Sequence, residues 1–157
     1  MATRHHCAIG DLVDSSHSAS TFLKPEANFP IAHPYWAGLL LGVASVPVFI
    51  ALSEPLAQQW GALLLGMIGG AYVGFAARDG RLSANIIELI GALAFAAVAL
   101  AGLQLNPLLI AGGYVAHGFW DLFHHRHGPY ADTPHWYIPF CVVYDWIVGA
   151  FLLVWWW

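Results

Sequence analysis

Hydrophobic and polar positions barely alternate along this chain; they separate into long apolar runs and short polar connections. Five runs stand out, at 35–52, 56–77, 84–103, 108–125 and 137–157. A helix needs about 20 mostly apolar residues to cross the hydrocarbon layer, within a range of roughly 17–25, and each run meets that length. The first carries no charge and contains Pro47, which predicts a kink. The fourth reaches spanning length only by taking in His117 and Asp121. The pattern predicts an all-α fold, a polytopic transmembrane helical bundle of five spans. Residues 1–34 break it. They are polar, carry His5, His6, Asp11, Asp14, His17, Lys24 and Glu26, and have no apolar stretch of the kind a signal peptide needs. A flexible cytosolic tail is expected there, with 35–157 as the membrane domain.

Composition sharpens this picture. The 157 residues are 59% hydrophobic and 9% charged, where an ordinary soluble domain carries about 25% charge. A water-soluble globule is excluded, and so is disorder, which needs low hydrophobicity and high charge. Five Lys and Arg against nine Asp and Glu leave no basic surface for nucleic acid. With five spans, Arg4, Lys24, Arg78, Arg81 and Arg126 all fall on one side, and the opposite connections carry no Lys or Arg. The positive-inside rule then puts the N-terminus and the 126–135 loop in the cytosol and the C-terminus outside, for a multi-pass protein of the plasma or inner membrane. Trp155, Trp156, Trp157 and Trp60 suit the outer aromatic belt, and Tyr35, Trp36, Trp136 and Tyr137 the inner one.

Cys7 and Cys141 match no metal or redox spacing, and Cys141 reads as a small buried apolar residue. Gly38 with Gly42, and Gly66 with Gly70 and Gly74, form small-residue stripes that let helices approach closely. Packing within the bundle is the favoured use of both stripes; contact between copies in a homo-oligomer is the alternative.

Four ionisable side chains lie inside predicted spans: Glu88, His117, Asp121 and Asp145. Each costs about 2.5–3.5 kcal/mol on insertion scales, and such residues usually mark function. Counting from the inner ends of the fourth and fifth spans, His117 and Asp145 sit at nearly equal depth, about 12 Å in. His117, Asp121, His124 and His125 share one face of the fourth helix, an arc of about 100°. Imidazole and carboxylate at that spacing suit a metal. His117, Asp121, His124 and His125 are the candidate ligands, with Glu88 and Asp145 as candidate ligand or base, and zinc or iron as the metal. The plainer reading is that His117 and Asp121 form a buried hydrogen-bonded pair that locks the spans together. His5, His6 and His17 have no spacing that joins them to the site.

The segment H-G-F-W-D-L-F-H-H at 117–125, with P-H-W-Y-I-P-F-C at 134–141 and Asp145, resembles a family of small uncharacterised bacterial and fungal integral membrane proteins. That resemblance implies a membrane fold. Asp121-Leu-Phe-His124-His125 also looks like one His box of membrane fatty-acid desaturases and hydroxylases, with Asp in the first place. His117 to Asp121 is similar to the H-x-x-x-D element of ceramidase-like membrane hydrolases. Three functions are therefore weighed: a metal-dependent enzyme acting on a lipidic substrate at the cytosolic leaflet, a proton- or small-ion-binding bundle, and an accessory protein pinned by a structural His–Asp cluster. The lipid bilayer is the expected partner in all three.

Overall fold

The computed structural model describes residues 33–124 and 128–157. Five helices follow in order: α1 (Pro34–Ala51), α2 (Glu54–Asp79), α3 (Leu82–Gln104), α4 (Leu108–His124) and α5 (Tyr137–Trp156), with no strand among the described residues. Their ends fall within two residues of the five apolar runs. The tail assigned to residues 1–34 lies, up to residue 32, outside the described residues, as do His125 and Arg126.

Local chemistry sets where the helices start and stop. Pro34 opens α1 at the position where a missing N–H costs nothing. Gly80 ends α2 in the left-handed conformation (φ 79°), donating its N–H to the Ala76 carbonyl at 3.0 Å; a residue with a Cβ would be strained there. Asn106 Oδ1 accepts the Leu108 N–H at 2.9 Å and turns the chain into α4. The two-residue connection at Gly80 and Arg81 makes α2 and α3 one antiparallel hairpin, and α4 and α5 pack as a second antiparallel pair across residues 125–136.

Four helices, α1, α2, α3 and α5, are long and apolar enough to cross a membrane. Their outward faces are apolar too: Leu40, Met67, Ile90 and Leu93 are each more than half exposed. A soluble protein would not tolerate so continuous an apolar exterior, so the helices mark a membrane protein. α4 differs from the others. Its 17 described residues, about 26 Å, occupy the middle of the bundle, packed against α5, α3 and α2. Eight of its 17 residues are buried, against three of 18 in α1.

Small residues set the close approaches. A Cβ at Gly38 would strike the Phe140 carbonyl, and one at Gly42 would lie 3.1 Å from Ile147, so α1 lies against α5 along this pair. A Cβ at Gly118 would collide with the Trp146 indole, which seals α4 to α5. The second stripe does not behave as expected. Gly66, Gly70 and Gly74 have nothing within 4 Å of a built Cβ. The reason is rotational: α2 turns Ala57, Gly61, Leu65, Gly69, Tyr72 and Ala76 inward, and this leaves the glycine stripe outside.

The apolar core is centred on Phe49, Leu65, Ile110, Tyr114, Val148 and Leu152. At one end of the bundle the two hairpin ends are tied together. Arg81 Nη2 donates to the Tyr130 carbonyl at 2.7 Å, and the Asp132 N–H donates to Asp79 Oδ2 at 2.9 Å. The turn carrying Arg78 and Arg81 therefore shares an end with the α4–α5 connection.

Candidate metal centre

Helix α4 projects His117, Asp121 and His124 inward from one face, at spacings of four and three. Each side chain then meets a different neighbour. Because α4 and α5 are antiparallel, His117 lands beside Asp145, with Nδ1 2.7 Å from Asp145 Oδ2. The same Nδ1 lies 3.5 Å from Asp121 Oδ1, one turn along its own helix. Tyr72, from α2, donates its hydroxyl to Asp121 Oδ1 at 2.6 Å. The side chains of His117, Asp121 and Asp145 have no solvent exposure. One ligand atom from each of the three lies within 4.8 Å of the other two, so this buried group can hold a metal ion.

The polar accounting is incomplete. His117 Nε2, Asp121 Oδ2 and Asp145 Oδ1 are buried without a hydrogen-bond partner. The Ile68 backbone faces the His117 ring, outside hydrogen-bond geometry for Nε2. A buried unsatisfied group costs about 1–3 kcal/mol, and more if charged. Charge sharpens the problem. Two ionised carboxylates with an imidazolium leave a net charge of minus one in a low-dielectric interior. A dication with neutral His117 brings the sum to zero, and so does a proton held on one carboxyl beside the imidazolium.

A second buried pair sits nearer the tied end. His124 Nδ1–H donates to the Trp120 carbonyl at 2.9 Å, which can only accept. Nδ1 is thus a donor, and the Nε2 contact with Glu88 needs a second proton, held by His124 or by Glu88. Nε2 then faces Glu88 Oε1 at 2.7 Å, and the same oxygen accepts the Ala131 N–H at 2.9 Å. The His124 ring lies between Tyr72 and Tyr130, with centroids 4.3 and 4.5 Å away. Glu88 Oε2 is buried and unpartnered.

Of the residues singled out in the sequence, His117, Asp121 and Asp145 come together, while His124 and Glu88 form a separate pair. Asp145 belongs to the inner group directly. Helical spacing alone placed His124 with His117, but the last turn of α4 delivers it to α3. His125 lies outside the described residues. Tyr72 was missed. It sits seven positions from the end of α2, as His117 does from the end of α4, so depth counting across helices could have found it.

No curated protein and no solved structure matches the chain. Residues 33–155 match the model of a family of unknown function, DUF6010, and the chain belongs to that family.

Proposed function

We propose that this is a membrane metalloprotein in which His117, Asp121 and Asp145 hold one divalent transition metal inside a five-span bundle. One observation carries the reading: three buried groups able to ligate a metal converge while each retains an unpartnered polar atom. Imidazole nitrogen with carboxylate oxygens is a donor set for zinc or ferrous iron. Tyr72, bonded to Asp121 Oδ1, acts as the neighbour that orients a ligand. The fifth span is α4, whose polar end is enclosed by α2, α3 and α5. The cytosolic side is the tied end, which carries Arg78 and Arg81.

An enzyme acting on a lipidic substrate needs space beside the metal. Two apolar grooves of about 380 and 470 Å³ lie instead near the start of α2, one lined by Val48, Leu52 and Trp60 and the other by Met67, Ala96 and Leu100. Neither touches the centre. Metal holding is therefore proposed without a reaction.

A second reading has its own observation. The 2.7 Å separation of His117 Nδ1 and Asp145 Oδ2 is a direct hydrogen-bond distance, as a purely structural pin would require. Titration of the detergent-purified protein with cobalt(II) separates the two. A metal centre gives visible ligand-field bands that saturate at one cobalt per chain and vanish in His117→Ala and Asp145→Asn. A pin gives no bands in the wild type.

A further inference from the structure

Three features lie outside the inner centre: the open glycine stripe of α2, the apolar grooves, and the Glu88–His124 pair. Nothing in the structure says what would cover the first two. The pair carries more. Its two side chains are buried, Glu88 is 1% exposed, and Glu88 Oε2 has no partner. His124 donates Nδ1–H to a backbone carbonyl, as metal-bound histidines do, and a cation would replace the proton that Nε2 shares with Glu88 Oε1. Nothing in the inner centre uses either residue.

Position gives the pair a role. His124 lies seven positions beyond His117 on α4, about 10 Å nearer the tied end of the bundle. Between them stands Tyr72, its ring tilted against His124 and its hydroxyl on Asp121. From the tied end inward, the unpartnered buried atoms run Glu88 Oε2, Asp121 Oδ2, Asp145 Oδ1. All three are carboxylate oxygens. The α4–α5 connection covers the pair with the Ala131 N–H on Glu88 and the Tyr130 ring on His124. Arg81, which would repel a cation there, is neutralised by Asp79, whose carboxylate binds it at 2.7 and 2.6 Å.

We propose that Glu88 and His124 form a second divalent-cation site, a relay station through which the metal reaches His117, Asp121 and Asp145. The station offers two protein ligands, fewer than the three or four of a permanent centre, so it holds the cation weakly and passes it on. This rests on the reading of the inner group as a metal centre.

The test is the time course of cobalt(II) uptake by metal-free full-length protein in detergent, read from the ligand-field bands of the inner centre. Glu88→Gln keeps the shape and an oxygen for the Ala131 N–H but loses the charge. His124→Gln removes the other ligand and guards against one variant failing to fold. Both are expected to slow uptake by about tenfold or more while reaching the wild-type end point of one cobalt per chain with unchanged bands. Uptake at the wild-type rate in a folded variant would overturn the station and leave the pair as a fastener for the loop. Reduced final stoichiometry would overturn it too, by making Glu88 or His124 a ligand of the inner centre. A wild type that takes up no cobalt would instead remove the inner centre, and the relay with it.

Discussion

At the scale of single residues, the inner centre stands on three side chains whose burial is tolerable only when their charges are matched. Removing His117 leaves two carboxylates in a low-dielectric site without their basic neighbour. His117→Ala is therefore expected to abolish stoichiometric metal and to lower the thermal midpoint in detergent. Asp145→Asn keeps the volume and an acceptor for His117, so it should lose metal while folding normally; retained metal in that variant would remove Asp145 from the ligand set. Tyr72→Phe deletes the hydrogen bond to Asp121 Oδ1. A loss of about 1 kcal/mol is expected, with weaker metal binding, and unchanged cobalt affinity would argue against an orienting role. The pairing of His117 with Asp145 was legible in the sequence, because equal offsets from a short hairpin connection fix equal depth. The partner of His124 was not. Periodicity places a residue on a helix face, but which neighbour that face meets depends on packing across the bundle.

At the scale of the element, the two glycine stripes look alike in the sequence and differ in the fold. Gly38 lies against the Phe140 carbonyl, whereas Gly70 faces open space. Gly38→Ala must push α1 off α5 and should cost about 1–3 kcal/mol. Gly70→Ala meets nothing and should be neutral or stabilising by up to about 1 kcal/mol, through helix propensity. Thermal unfolding of the two variants in the same detergent checks the contrast, and an equally damaging Gly70→Ala would show that its face is covered. The spacing i, i+4, i+8 identifies a face able to pack closely. It carries no information about which way the helix is rotated, and larger residues decide that here: Leu65 and Tyr72 turn the other side of α2 inward. The helices themselves were far more legible, since apolar runs, with the fourth extended to spanning length, located every end to within two residues.

At the scale of the molecule, α4 is the axis on which the other elements are arranged. It carries His117, Asp121 and His124, and it is enclosed by α2, α3 and α5. The tied end of the bundle holds Arg78 and Arg81, and a cysteine placed at the exposed Asp132 reports which side that end faces. In a background lacking Cys7, an impermeant thiol reagent should label it only after the cells are permeabilised. Labelling on intact cells would reverse the orientation. The fold encloses three ionisable groups within reach of one another, and the proposed cation would complete them. Elemental analysis of monodisperse wild-type protein, purified without a His tag from cells grown with added zinc and iron, asks that question directly. One transition-metal ion per chain is the predicted result. Protein that is pure, folded and free of transition metal would contradict it and leave His117 and Asp145 as a hydrogen-bonded pin.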